Sequence, residues 1–441
     1  MNVALKTSQP GPAPDRLFAV ARDRLPGAGP VAQARARAFE AFAQQGLPNR
    51  RIEQWKYTDL RAKLGEVAPL APPPGDTALA GAAAAVKKLA ASSGALTFVL
   101  VDGVYAASLS ANATTVPGVR VRSLREFLDD PAEAARAEVL TSGAGEAMES
   151  LNAAMATDGL VIEVAAGAAL TSAIRLVHVA TRSAASAFTR SVVTVGRGAQ
   201  ATVVEQFVAA PGAAGYQSHD ALVVRLAEDA RLQHVRLMEE ALDAANISHA
   251  YFTLDARARL NSFNLTRGAG LSRYQGVVTL AGEGGELATN GVNLLGGQRH
   301  GDTTLLVDHQ APGCVSREAF RSVLDQQGHS VFQGRIVVRP GAQQTDGKMM
   351  TRALLLSDEA EIDNKPELEI FADDVSCGHG ATAGALDQTL LFYLMARGLP
   401  EVDAQAMLIE AFVGEAIETI ADDAWREVAF DAARRWLSAR D

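Results

Sequence analysis

Cysteine is scarce in this sequence: Cys314 and Cys377 are the only two among 441 residues. Two thiols cannot staple a chain of this length, so a reducing compartment, the cytoplasm, is expected. Nor can they fill the four positions of an all-cysteine metal cluster. Any metal held here needs histidine, carboxylate or a second subunit. Long apolar runs are missing too. No stretch of about 18 uninterrupted apolar residues occurs, so no membrane span is expected. The opening residues MNVALKTSQPGPAPDRL lack the apolar core of a signal peptide. Positive charge is in deficit. A net charge of −10 argues against a general nucleic-acid binder, which needs a basic face for phosphates.

Between residues 95 and 384 long amphipathic helices are absent. A βαβ sheet needs such helices between its parallel strands. The span holds instead short β-branched runs such as TFVLVDGVYAASL, AIRLVHVAT and RSVVTVGRGAQATVVEQFV. A strand–turn–strand unit recurs as VRLAEDARLQHVRL, LDARARLNSFNL and VVRPGAQQTDGKM. The turn positions Ala230, Ala258, Glu286, Cys314 and Ala342 fall 28 apart, and Ala360 follows after 18. Recurrent strand–turn units without helices predict a mainly β solenoid, a β-helix first and a sandwich second.

Both ends of the chain read as helical. Residues 31–45 place Val31, Ala38, Phe39 and Phe42 on one face, and Gly46 closes that helix. GLPNRRIEQWKYTDL follows, with Trp55 and Tyr57 as bulky anchors of a packing elbow. Residues 68–93, rich in Ala, Pro and Gly, read as linker with one short helix. After Asp387 three helices are expected. The second carries Ile409, Phe412, Val413, Ala416, Ile417 and Ile420 on an apolar face wider than a short neighbour covers. The third aligns Trp425, Val428, Ala432 and Trp436. The predicted units are a helical region and linker over 1–94, a β-helix core over 95–386 and a helical subdomain over 387–441.

The densest chemistry lies in LLLSDEAEIDNKPELEIFADDVSCGHGATAG, residues 354–384. Eight carboxylates stand there beside Cys377 and His379 in sequence. Cys-x-His on an extended strand puts both side chains on one face. A thiolate and an imidazole together suit iron or zinc, but they make only half a site. The plain alternative is a turn with an inert thiol and a hydrogen-bonded histidine. Elsewhere, His178, His234 and His249 read as core or surface residues. His300 with Asp302, and Asp308 with His309, are weaker metal pairs. GAQQTDGKM has the wrong spacing for a phosphate loop, and Met349 replaces the hydroxyl that would hold magnesium. GRGAQA and GEGGEL read as turn glycines between strands, not as a dinucleotide fingerprint.

KPELEIFADDVSCGHGATAG, residues 365–384, resembles the signature of the SufB/SufD family of iron–sulfur cluster assembly proteins. ALDQTLLFYLMARGL and AQAMLIEAF look like its continuation, and GLPNRRIEQWKYTDL is similar to the N-terminal motif of the SufD-type branch. The resemblance implies a right-handed parallel β-helix between helical ends. It implies a non-enzymatic scaffold that pairs with SufB through the end of its β-helix and binds the ATPase SufC through its C-terminal helices. It also implies no cofactor tightly bound by the isolated chain, but transient iron or Fe–S cluster at the SufB interface. The family's functional histidine falls on His379, with Cys377 beside it as a shared ligand. A homodimer of the isolated chain is a further expectation. The SufD-type branch is favoured by length, by the WKYT motif and by the poverty in cysteine. Two other readings stay open: a SufB-type subunit that itself carries nascent cluster, and a β-helix enzyme such as a polysaccharide lyase or acyltransferase. The enzyme reading asks for a secreted chain and an aromatic-lined groove, whereas aromatics are 5% here.

Overall fold

The computed structural model describes residues 14–89, 94–112, 116–133, 135–140 and 145–440. Residues 1–13, read above for a signal peptide, lie outside these, as do residues 90–93 of the presumptive linker.

Strands Leu96–Val101 to Val375–Gly384 form two sheets, one of 10 strands and one of 9, and successive strands after Leu160 alternate between them. Every pairing in this run is parallel; only the short strands Val104–Tyr105 and Val119–Ser123 pair antiparallel. A chain that lays one strand on each sheet per turn is a parallel β-solenoid, here of about eight turns. The solenoid reading holds and the sandwich does not.

The turns show why these residues wind this way. Gly198, Asp229, Arg257, Gly284, Gly313 and Gln344 occupy one recurrent turn position, and all have positive φ. Each donates its N–H to the carbonyl of the next rung, for example Asp229 to Ala256 at 3.0 Å and Arg257 to Glu283 at 2.8 Å. Left-handed backbone suits glycine but is tolerated by short polar residues. The glycines of GRGAQA and GEGGEL are therefore turn residues, as expected. The repeat is real but uneven. The residues in true register at the neighbouring turn position are Ala230, Ala258, Gly285, Cys314 and Thr345, so Glu286 is one place out and Ala342 three. Ala360 belongs to the turns of the other sheet, since Glu361 donates to Gly328.

Between the sheets the core is apolar, with Phe98, Phe252, Phe320 and Phe332 buried. Each such side chain contributes about 1.5–3 kcal/mol on burial. Polar residues also enter: His234 lies 3.0 Å from Glu205 and 2.9 Å from the Ser262 hydroxyl.

The outer faces are covered by helices. On the nine-stranded sheet, Pro30–Gln45 packs against Ala147–Met155, a buried helix that the sequence pattern did not announce. The WKYT elbow lies beside them. Trp55 is fully buried, its indole N–H donates to Glu146 at 2.9 Å, and the Arg273 guanidinium sits 3.8 Å from its ring centre. On the ten-stranded sheet, helices Glu401–Ile417 and Asp423–Ser438 bury Ile409, Val413, Ile417 and Trp425 against Leu237, Phe263 and Leu294. The apolar face expected to exceed its cover is thus covered, by the sheet rather than by another helix.

Candidate functional site: the open end of the solenoid

The last two strands differ from all before them. Glu361–Ile370 pairs with His329–Val338 on one side, and Val375–Gly384 with Thr345–Leu355. Among the described residues, neither has a strand on its other side. Both sheets therefore end together, with two rows of backbone donors and acceptors open to another chain.

Parallel register stacks residues into columns, and two columns define this end. One reads Leu232, Leu260, Leu287, Ser316, Gly347, Cys377. The other reads His234, Ser262, Thr289, Glu318, Met349, His379. Leu232, Leu260 and Leu287 belong to the core, so Cys377 and His379 face the interior. Cys377 packs against that core, whereas His379 is exposed because no further rung covers it. The Cys377 column loses its leucines in the last three rungs. A methyl group added at Gly347 would meet Ser316 Oγ at 3.4 Å and Cys377 Sγ at 3.5 Å, so glycine leaves a gap between them.

The interior just beneath is polar and buried. Ser316 Oγ lies 3.0 Å from His309 Nε2, and burial pushes His309 down to about 4, so its ring is neutral. Burial pushes Glu318 up to about 8, so it is a neutral acid at pH 7. Burial also raises the Cys377 thiol, and the nearby Asp346 adds to this against a backbone hydrogen bond from Gly347. The isolated chain therefore presents a thiol there, not the thiolate a metal requires.

The acidic segment that precedes Cys377 in sequence does not join it in space. It lies on the other sheet, in register with the strand His329–Val338. Lys365 bonds Glu367 at 3.1 Å, Glu369 pairs with Arg335 at 3.1 Å and Asp363 with His329 at 2.9 Å. Nor do the weaker metal pairs stand free. Asp302 is ion-paired with Arg273 and accepts from Thr58, while Asp308 is held by Arg339 at 2.8 Å. Burial pushes His300 down to about 2, with Lys63 contributing. His178, His234 and His249 are buried, as expected of core residues. Cys314 is buried and donates to the Gly282 carbonyl at 3.3 Å. Two residues escaped sequence reasoning. Glu318 looks like any polar residue on an alternating strand. His329 stands 29 residues after His300, one solenoid turn, and that interval was its only signal.

Exposed apolar residues flank this end. Phe371, in the turn before the last strand, is 58% exposed. The helix Gln388–Met395 leaves Leu390, Phe392, Tyr393 and Met395 uncovered, Phe392 at 72%. Val402 and Met407 of helix Glu401–Ile417 are exposed as well, so the uncovered apolar surface runs over two helices.

Residues 178–412 match the family model described as SUF system FeS cluster assembly, SufBD core domain, and residues 17–176 match the SufBD protein N-terminal region. The chain is 31% identical to the iron–sulfur cluster assembly protein SufD of Escherichia coli (strain K12), over 88% of this chain and 89% of that one. It is 28% identical to a SufBD family protein of Synechocystis, over 87% and 86% of the two chains. It is also 31% identical to the chloroplastic protein ABCI7 of Arabidopsis thaliana, over 52% of this chain and 48% of that protein.

Proposed function

Because the chain belongs to the SufBD family of iron–sulfur cluster assembly proteins, as a SufD homologue, we propose that it is a non-catalytic scaffold of a cytoplasmic assembly complex. Its open solenoid end meets a second β-solenoid subunit, SufB, and the cluster is cargo at that junction rather than a resident cofactor. The carrying observation is the final rung itself. It joins two unpaired sheet edges to an interior-facing Cys377 and His379 that no rung of this chain covers. A partner strand would complete the hydrogen bonding of the edges. It would also add the ligands that a cluster needs beyond two. His379 serves as the imidazole ligand and Cys377 as an accessory thiolate, its proton leaving only when metal arrives.

The ATPase SufC docks on the C-terminal helices, through the uncovered row on Gln388–Met395 rather than through Ile409 and Ile417. Removing everything after Gly384 would strip the cover from the ten-stranded sheet, so point substitutions are the cleaner probe. Phe392→Glu with Tyr393→Glu should abolish SufC capture by a tagged chain while SufB still copurifies. Anaerobic reconstitution tests the scaffold reading. The isolated chain should hold no stable cluster and the complex with SufB and SufC should hold one. A stable cluster on this chain alone would overturn the scaffold reading in favour of a SufB-type carrier.

A further inference from the structure

At the open end itself, on the outer face of the nine-stranded sheet, a second group of ligands converges, with Glu361 on the terminal strand and His329 one rung below it. Leu271, His300, His329 and Glu361 stack in register at the start of four successive strands. Asp363 stands two residues beyond Glu361, on the same face. One ligand atom each from His329, Glu361 and Asp363 lies within 4.8 Å of the others. This cluster belongs to a different sheet from Cys377 and His379.

The hydrogen bonds around His329 can be followed donor by donor. Asp302 is paired with the buried Arg273 guanidinium and accepts from the Thr304 hydroxyl at 3.0 Å. The Thr58 hydroxyl also points to Asp302, and a hydroxyl has one hydrogen to give. His300 Nε2, 2.9 Å from Thr58 Oγ1, must therefore be the donor to that oxygen. His300 Nδ1 lies 3.2 Å from His329 Nδ1 and fixes the orientation of the His329 ring. That orientation turns His329 Nε2 toward the Asp363 carboxylate, 2.9 Å away. Nε2, Asp363 and Glu361 converge there, and a cation at that point, a proton or a metal ion, would hold the imidazole and the carboxylates together.

We propose that this cation is a first-row divalent metal, bound by His329 Nε2, Asp363 and Glu361, with Thr58 and His300 as the outer partners that orient the His329 ring. The chemistry fits. Imidazole with carboxylates suits Zn2+, Fe2+ or Mn2+. Bonds of about 2.0–2.1 Å at tetrahedral angles hold ligand atoms about 3.3 Å apart, so the His329–Asp363 pair, at 2.9 Å, has only to open slightly to admit the ion. Metal-bound histidines characteristically donate their other ring N–H to an outer partner, as His329 does to His300. Entry is open, because the His329 and Asp363 side chains are 21% and 29% exposed and Glu361 is at the surface. The Lys63 ammonium also attracts Glu361, so a metal competes with it. The site uses residues other than Cys377 and His379, although Glu361 and Asp363 stand on the terminal strand that the scaffold reading pairs with a partner, and titration of the isolated chain leaves that reading untouched.

The experiment uses the full chain, freed of metal by chelation and titrated with Co2+ and Zn2+. One equivalent of Co2+ should bind and give a ligand-field spectrum, displaced by Zn2+. Asp363→Asn should weaken binding at least tenfold, and Glu361→Gln, at an exposed position that leaves folding alone, should weaken it less. Thr58→Ala should weaken it too and change the spectrum, although it removes no ligand. The double substitution Cys377→Ser with His379→Ala should leave the bound ion in place. Two results would overturn the proposal. One is equal Co2+ affinity in wild type and Asp363→Asn. The other is no Co2+ binding, with nitrogen NMR showing both His329 nitrogens protonated, which would make the cation a proton only.

Discussion

His234 and His379 stand in the same column of the same sheet, five rungs apart, and the fold treats them in opposite ways. His234 has rungs on both sides. It is fully buried and held between Glu205 and Ser262. His379 has a rung on one side and open space on the other. Residue type and backbone are shared, so the difference comes from the missing next turn. In a solenoid each rung is completed by its neighbours. A residue on the last rung has interaction capacity that its own chain cannot use, and that capacity is what a partner finds.

The contrast predicts where substitutions hurt. Covered positions should cost stability and terminal ones should not. The largest loss is expected at Arg273, whose guanidinium lies against Trp55 and neutralises the buried Asp302. Arg273→Ala should cost about 3–5 kcal/mol by leaving that carboxylate buried and unpaired. Chemical denaturation measures it, and a loss near zero would mean that the elbow is not an anchor. His234→Ala comes next, at about 2–3 kcal/mol, because it deprives Glu205 of its partner.

A smaller effect tests the interior two rungs below the end through pH. Burial holds Glu318 at about 8, above its unfolded value of 4.5. Its protonated form is the one the fold accepts. The stability it contributes is therefore complete below pH 4.5 and is lost as pH rises through about 8. A tenfold change in proton affinity is worth about 1.4 kcal/mol. Glu318→Gln should flatten the decline between these limits and stabilise the chain by at least about that amount at pH 8. An unchanged pH profile would place Glu318 in contact with water.

Much of this architecture was legible in the sequence because a solenoid is locally encoded. The strand pattern of VRLAEDARLQHVRL and its left-handed turn at Asp229 need no distant information. The interval was harder. Turn lengths vary, so a strict count of 28 drifted one place at Glu286 and skipped between sheets at Ala360. Helix Ala147–Met155 went unread because it is buried all round, which blurs the amphipathic signal. The face at Ile409 and Ile417 was correctly read as apolar, with the solenoid and a partner both open as its cover, since periodicity shows that a face is covered but not by what. That Cys377 and His379 share one face was legible through alternation, while their role came only from family resemblance and stands as a proposal. Glu318 and His329 were not, because their meaning lies in register between rungs, and register is a property of the fold.

The smallest stability effect belongs to His379, and it is the sharpest test of the comparison. His379→Ala removes an exposed side chain from a rung that nothing covers. Surface substitutions of this kind change stability by about 0.5 kcal/mol or less, so the unfolding midpoint should stay where it is. The complex with SufB and SufC should also still form, because the junction proposed above is made by backbone sheet edges. Iron and sulfide per assembled complex should fall, since alanine offers no ligand where imidazole did. Cys377→Ser should lower them less, because its thiol becomes a ligand only after losing a proton that burial holds in place. His234→Ala is the control: the same substitution in the same column, with stability lost and metal content per folded complex unchanged. If His379→Ala instead lowers the melting temperature and leaves iron per folded complex intact, His379 is a structural residue like His234. The open end would then be an interface without a ligand of its own.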